Sequence, residues 1–205
     1  MRCRLKNKHW LGMLLLGLMA CNGKPTSMKR PELEAYIRNP GNGLQVEQVV
    51  NGIKAQLVYF PSDFLKMQEK EANSGADTIS QKANTAYDSM YYFKLKYSIQ
   101  DKEAIRQLGS FNRYSEMLQV LAFRMGQYIN LTTPARDTLP VADYFFDQTY
   151  GMSNGNTLLL CFPKSGLERA AAFDINIAEC GFGTGALKFR FEKDDIEATP
   201  RLAGL

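Results

Sequence analysis

After residue 10 the sequence contains neither histidine nor tryptophan, because His9 and Trp10 are the only residues of their types. A serine or cysteine nucleophile with a histidine base is therefore excluded from the rest of the chain. A zinc or iron site with histidine ligands is excluded for the same reason. A serine with a lysine base is not excluded, but the chain has no Ser-x-x-Lys sequence to support it.

The sequence also lacks a charge excess outside its amino terminus. The 205 residues have a formal net charge of +4, and Arg2, Arg4, Lys6 and Lys8 account for all of it. The chain after residue 20 is thus neutral and has no basic run, which argues against nucleic-acid binding. Its composition, 45% hydrophobic and 22% charged, is typical of a folded globular chain.

One apolar run, residues 11–19, follows the basic amino terminus and ends at the small residue Ala20. It is too short to span a bilayer, for which a helix needs about 20 apolar residues. A basic stretch, a short apolar run and a small residue, in this order, are typical of a secretory signal peptide. We therefore predict that residues 1–20 are a signal peptide that is removed.

The junction Leu18-Met19-Ala20-Cys21 resembles the lipobox of bacterial lipoproteins. The resemblance implies that Cys21 is acylated and that the protein is anchored outside the cytoplasm, in the outer membrane of a bacterium. The alternative is a buried cysteine that follows an ordinary apolar helix. Residues 21–30 are polar and are interpreted as a tether, and residues 31–205 as a single domain that resembles small uncharacterised bacterial lipoproteins.

The body is predicted to have an α+β fold with a mainly antiparallel sheet of about six strands. The alternation of apolar and polar residues is clearest over residues 91–99, where Phe93, Leu95 and Tyr97 share one side. The last four strands are expected to form a meander. The predicted strands cover residues 49–60, 91–99, 144–150, 158–162, 173–177 and 187–191.

One long helix is predicted over about residues 111–129, because apolar residues recur there at spacings of three and four. Ser110 is placed to cap it. Shorter helices are predicted over residues 31–38 and 63–71, and one or two further turns before Gly109. Residues 73–89 are polar and are interpreted as a loop.

Carboxylates are the only plentiful catalytic candidates in the strand-rich last third of the chain. Two of them about 5–9 Å apart would suffice for glycoside hydrolysis. The spacing does not single out a pair, and solvated surface acids explain it equally well. The candidates are Asp137, Asp143, Asp147, Glu168, Asp174 and Glu179.

Cys161 and Cys180 are the remaining cysteines after Cys21. An extracytoplasmic location permits a disulfide. If residues 163–166 form a tight hairpin turn, however, the two cysteines lie over 30 Å apart, at about 3.3 Å per residue of strand. We therefore predict two buried, free thiols.

Two short patterns have alternative interpretations. Gly181-Phe182-Gly183-Thr184-Gly185 could be a phosphate loop, but a strand pattern follows it where a helix would be needed, so a hairpin turn is predicted. Asp77-Thr78-Ile79, Asp88-Ser89-Met90 and Asp137-Thr138-Leu139 resemble acceptors of a bacterial protein O-glycosylation system. Chance matches to such short tripeptides are also expected.

These features predict a non-enzymatic envelope module that binds an envelope protein, a peptide or a glycan. They identify no catalytic residue, cofactor or metal ligand, and Cys21 is the one site residue. The alternative is a membrane-anchored hydrolase that uses paired carboxylates, for example on glycans. A cavity that holds two such acids would favour the hydrolase.

Overall fold

The computed structural model describes residues 25–72 and 81–205. The predicted signal peptide, Cys21 and the tripeptide Asp77-Thr78-Ile79 lie outside these residues. Within the described ranges, no helix is long and apolar enough to cross a membrane.

The described residues form twelve strands and five α-helices. The strands are β1 (Ser27–Met28), β2 (Gln45–Val50), β3 (Ile53–Tyr59), β4 (Met90–Ile99), β5 (Lys102–Glu103), β6 (Ile129–Thr132), β7 (Thr138–Pro140), β8 (Asp143–Asp147), β9 (Asn156–Pro163), β10 (Ala172–Ile177), β11 (Leu187–Glu192) and β12 (Arg201–Leu202). The helices are α1 (Arg30–Arg38), α2 (Ser62–Ala72), α3 (Gln81–Asp88), α4 (Phe111–Gln119) and α5 (Lys193–Glu197).

Two antiparallel sheets make up most of the structure. The first sheet has the strand order β2-β3-β4-β9-β8, with β5 paired to one end of β4. The second sheet has the order β11-β10-β6-β7. A separate parallel pair, β1 and β12, joins the two ends of the described chain.

The core lies between the two sheets. Phe93 on β4 is fully buried, and its ring centroid lies 6.0 Å from that of Phe173 on β10 and 4.9 Å from that of Phe191 on β11. These contacts cross from one sheet to the other. The alternation seen in the sequence therefore marks the faces of the sheets that pack on each other.

The predicted fold class, α+β with a mainly antiparallel six-stranded sheet, is confirmed. The strands do not form the expected four-stranded meander, because β8 and β9 belong to the first sheet, and β10 and β11 to the second. Residues 164–171 carry the chain from one sheet to the other, and Leu167 is buried on the way. Alternation predicts a buried side for each strand, but it does not identify the neighbouring strand.

The predicted strand 49–60 spans the turn of a hairpin, since its first two residues belong to β2 and β3 begins at Ile53. Asn51 and Gly52 connect β2 to β3 with φ angles of 51° and 78°. A two-residue turn with positive φ at both positions matches the twist of antiparallel strands, and Asn-Gly is the pair that favours it.

The long helix predicted over 111–129 is shorter and less regular than expected. Ser110 caps α4, since its Oγ accepts a hydrogen bond from the Arg113 amide at 3.3 Å. After Gln119 the chain continues as a π-helical turn, Val120–Arg124, and a 3-10 turn, Met125–Gln127. The apolar spacing does not distinguish these turns from an α-helix, and β6 already begins at Ile129.

The loop predicted over residues 73–89 is wrong for its second half, where residues 81–88 form α3. The segment QKANTAYD contains no glycine or proline, and its alanines, lysine and glutamine favour a helix. Tyr87 from α3 lies against Tyr92 of β4, with ring centroids 6.5 Å apart.

The structure also differs from the predicted tether at residues 27–30. Ser27 and Met28 form β1, and Arg30 is the first residue of α1. The Arg201 amide donates to the Thr26 carbonyl at 3.0 Å, and the Ala203 amide to the Met28 carbonyl at 2.8 Å. The strand depends on a partner at the other end of the chain, which the local sequence does not reveal.

Candidate functional site

A groove lies on the face of the first sheet that points away from the core. Lys94 and Lys96 of β4 point to this side, since the alternate residues Phe93, Leu95 and Tyr97 are fully buried. Across the strands, Lys94 is opposite Val58 and Leu159, and Lys96 is opposite Gln56 and Thr157.

Helices α1 and α2 turn this sheet face into a concave site of about 610 Å³. Each helix buries apolar residues against the body, including Leu33 and Ile37 of α1 and Phe64 of α2, so their positions are fixed by packing. We refer to this site as the groove. Its lining residues are Arg30, Glu34, Ile37, Arg38, Gln45, Gln56, Val58, Tyr59, Phe60, Phe64, Gln68, Lys94, Lys96, Asn154 and Thr157.

The floor of the groove is positively charged. Among the described residues, neither Lys94 nor Lys96 has a carboxylate oxygen within 4.0 Å. The Lys94 ammonium instead lies 3.8 Å from the centroid of the Phe60 ring. Burial lowers the pKa of Lys94, although Glu34 and Asp147 act in the opposite direction. The ammonium is thus half-buried and, in the part of the chain that the structure describes, has no close counter-ion.

The walls of the groove add little negative charge. Glu34 of α1 is its one acidic lining residue, and it already pairs with two arginines of the same helix. The Arg30 Nε lies 3.2 Å and the Arg38 Nη2 2.8 Å from its carboxylate oxygens. The groove therefore has a positive balance and offers an anion two free lysines.

Side-chain amides form the second chemical group in the groove. Gln45, Gln68 and Asn154 make no side-chain hydrogen bond within the described part of the chain. The fourth amide, Gln56, donates from Nε2 to Glu47 at 3.3 Å. Each free amide can donate and accept hydrogen bonds at once, so the lining suits a polar ligand.

A smaller cavity of about 230 Å³ adjoins a cluster of ion pairs under β12. Asp63 accepts from the Leu202 amide at 2.9 Å and from Arg201 Nη1 at 3.1 Å. Lys66 lies 2.6 Å from Asp88, and this ammonium lowers the pKa of Asp88 although partial burial opposes the change. The contacts of Asp63 hold β12 against α2, so this cluster stabilises the fold.

None of the six candidate carboxylates lines the groove. Asp174 pairs with Lys188 at 2.9 Å, and the Gly166 amide donates to Glu168 at 2.9 Å. The Thr133 hydroxyl donates to the Asp137 carboxylate at 3.3 Å, while Asp143 and Asp147 are exposed at the edge strand β8. Within the described residues, no group of three or more His, Cys, Asp or Glu side chains could hold a metal ion.

The carboxylate of the sixth candidate, Glu179, is bound by backbone amides of the glycine segment that follows it in the chain. The amides of Gly181, Gly183 and Gly185 donate to its carboxylate at 2.7, 2.8 and 2.5 Å. Partial burial acts to raise the pKa of Glu179, but these backbone donors lower it overall. The segment connects β10 to β11 as the predicted hairpin turn, and its anion-binding amides are taken by the protein itself.

The two cysteines are free, as predicted, but for another reason than the one expected. Cys161 lies on β9 in the first sheet, and Cys180 follows β10 in the second, so no tight hairpin relates them. Cys180 is buried, which raises the pKa of its thiol to about 11. Cys161 is only half-buried, contrary to the prediction, and partial burial raises its pKa as well.

We expect a thiol-specific alkylating reagent at pH 8 to modify Cys161 of the folded protein slowly and to leave Cys180 unmodified. Without any reductant, both should react fully in denaturant, because no disulfide protects them. Peptide mass mapping of the full chain separates the two sites. A linked Cys161–Cys180 peptide, or faster reaction of Cys180 in the native state, would contradict this assignment.

Two of the glycosylation-like tripeptides fall within the described residues. Ser89 is exposed, and its Oγ donates to the Ala86 carbonyl at 2.7 Å. Thr138 is exposed on the short strand β7. Glycosylation at these positions stays a prediction.

Comparison with known proteins places the chain in no family. No family model matches it, and no curated protein matches it. Among solved structures, a DUF4426 family protein from Pseudomonas aeruginosa is similar at 13% sequence identity and a TM-score of 0.37. The similarity covers 73% of this chain and 93% of that chain.

The patterns in the sequence do not identify the groove. In the sequence, Lys94 and Lys96 belong to the polar side of the strand predicted over residues 91–99, which is the ordinary position of alternating lysines. Their distinguishing property is that no carboxylate of residues 25–72 and 81–205 pairs with them beneath α1 and α2, and this depends on tertiary packing. The local signal in the sequence is a strand with polar residues along one side.

Proposed function

We propose that this protein is an acyl-anchored envelope module that binds a ligand in the groove and does not transform it. The observation that supports this function best is the pair Lys94 and Lys96, which have no carboxylate within 4.0 Å among the described residues. A buried or half-buried cation without a counter-ion costs stability, so its presence in a concave site favours a role in binding.

Three acids of the described residues are better suited to a structural role than to hydrolysis. A general acid must hold its proton near neutral pH, which requires a raised pKa. Partial burial acts to raise the pKa values of Asp88, Glu103 and Glu179, but hydrogen bonds to the ionised carboxylates lower all three. These acids are therefore suited to hold structure as permanent anions.

The proposed anchor is compatible with the position of the groove. If Cys21 is acylated, β1 begins six residues later, a distance of at most about 20 Å for an extended chain. Helix α1 follows β1 directly and supplies Arg30 and Glu34 to the groove. The groove would then face ligands close to the membrane surface.

Four versions of the full chain, produced in its own host, test both parts of this proposal. They are the wild type, Cys21→Ala, Lys94→Gln/Lys96→Gln, and a control, Lys82→Gln/Lys102→Gln, which removes two exposed lysines outside the groove. Each is extracted with mild detergent from membrane and soluble fractions and examined by native mass spectrometry.

We expect the wild type and the control to carry an acylated cysteine and a non-covalent ligand. The groove variant should keep the acylated cysteine and lose the ligand. Cys21→Ala should move to the soluble fraction without the acyl mass. Equal ligand retention by the groove variant would contradict the binding site. Conversion of the bound ligand to a smaller product on incubation would contradict the non-enzymatic function.

A further inference from the structure

The groove combines free cations, free amides and an apolar edge, and these identify the chemical class of its ligand. We propose that the groove binds an acidic oligosaccharide, a short chain of sugars that carries carboxylates. This inference rests on the proposed function, since it names the ligand of the same site.

The charges of the groove call for an anion with more than one negative group. Lys94 and Lys96 are alternate residues of β4 on one face, so their Cα atoms lie about 6.6 Å apart. Arg30 and Arg38 pair with Glu34 at the α1 wall, and among the described residues neither this acid nor any other lies within 4.0 Å of a floor lysine. Successive carboxylates along an extended ligand would meet both lysines.

The amides of the groove favour hydroxyl groups over other polar groups. A sugar hydroxyl both donates and accepts hydrogen bonds, and a side-chain amide offers one acceptor and two donor hydrogens in a fixed plane. Gln68 comes from α2, Gln45 from β2, and Asn154 from the loop before β9. Free amides thus line the groove from three directions, where hydroxyls around a ring would find them.

Phe60 and Phe64 supply the apolar part of the lining. Their rings stack with centroids 5.1 Å apart at the α2 side of the groove. Phe64 is buried and the Lys94 ammonium lies over the Phe60 ring, so the accessible apolar surface is the half-buried rim of Phe60, beside a cation. The C–H face of a sugar ring can pack against this rim while its carboxylate meets Lys94. The apolar edge therefore fits a ring that has both hydroxyl and C–H surfaces.

An acidic peptide fits the groove less well. Peptides that bind a sheet usually add a strand to an exposed edge, where main-chain groups are free. The groove floor is built on β3, β4 and β9, each of which pairs with a strand on both sides. Main-chain hydrogen bonds are thus not offered there, and recognition must come from side chains.

Calorimetric titration of the full chain in detergent tests this inference with three defined ligands. They are α-1,4-linked trigalacturonate, the neutral α-1,4-linked galactotriose, and a hexaglutamate peptide. We expect trigalacturonate to bind, with the affinity lowered about tenfold or more by Lys94→Gln/Lys96→Gln, as for the loss of a hydrogen bond to a charged group. Gln68→Leu should weaken binding too, and the control Lys82→Gln/Lys102→Gln should not.

Tighter binding of hexaglutamate than of trigalacturonate, or equal binding of the neutral sugar, would overturn the assignment. So would trigalacturonate binding that the groove variant leaves unchanged, and so would no binding at all. Thermal unfolding of each variant shows whether a loss of affinity is a loss of folding. If the native membranes still yield a ligand that depends on Lys94 and Lys96, only the sugar assignment fails; if they do not, the proposed function fails as well.

Discussion

Phe93→Ala is expected to lower the free energy of unfolding by about 3–5 kcal/mol. The Phe93 side chain is fully buried in the first sheet, and its ring meets Phe173 and Phe191 of the second sheet and Phe162 of its own. Removing the ring deletes aromatic contacts on both sides and leaves a cavity that neighbouring rings fill only in part.

Urea unfolding of the full chain measures this loss. Phe145→Ala is the matched control, because Phe145 is 66% exposed on the edge strand β8. Its cost should be within about 0.5 kcal/mol, as for most surface substitutions. An equal cost for both substitutions would show that the two sheets do not pack on each other through Phe93. The m-values of both variants should match that of the wild type.

Strands β9 and β10 show which part of the fold the alternation of apolar residues predicts and which part it does not. The alternation of Phe173 and Ile175 predicts a buried side correctly, and both residues are fully buried. The same alternation holds whether β10 pairs with β9 or lies in another sheet. Which strands pair depends on contacts between residues far apart in the chain, and single-strand patterns carry no information about them.

The groove could not be predicted from the sequence for a related reason. Arg30, Gln68 and Lys94 are distant in the chain, and each has an ordinary local role on a helix or strand surface. Their common site exists because Leu33 and Phe64 hold α1 and α2 against the body. Glu179 is a partial exception, since an acid two residues before a Gly-x-Gly-x-Gly turn is a local arrangement that can be recognised in a sequence.

The loop of residues 148–155, between β8 and β9, supplies Asn154 to the groove. A substitution that loosens this loop should therefore affect both the stability of the fold and binding in the groove. Glu103 of β5 holds this loop in place and is only 3% exposed. Its carboxylate accepts hydrogen bonds from the Thr149 hydroxyl at 2.5 Å and the Gly151 amide at 2.6 Å. The Arg106 guanidinium lies 3.3 Å away and partly balances the charge.

Glu103→Ala is therefore expected to lower the free energy of unfolding by about 3 kcal/mol, since it removes a buried acceptor from two part-buried hydrogen bonds and from the Arg106 guanidinium. Glu103→Gln keeps the shape and one acceptor oxygen, so its cost should be smaller. Glu71→Gln is the control, because Glu71 is exposed near the end of α2. Both Glu103 variants should also weaken groove binding, because Asn154 loses its fixed position, whereas Glu71→Gln should not.

The pH dependence distinguishes the loss of this charge from a simple loss of packing. Burial acts to raise the pKa of Glu103, but the hydrogen bonds from Thr149 and Gly151 and the nearby Arg106 lower it overall. A carboxylate with a lowered pKa in the folded state stabilises that state above its unfolded pKa of about 4.3, and this contribution is lost as the pH falls through the folded value. The difference in unfolding free energy between the wild type and Glu103→Gln should thus be largest near neutral pH and shrink below about pH 4. A difference that stayed constant down to pH 2 would mean that the ionised carboxylate does not hold the loop.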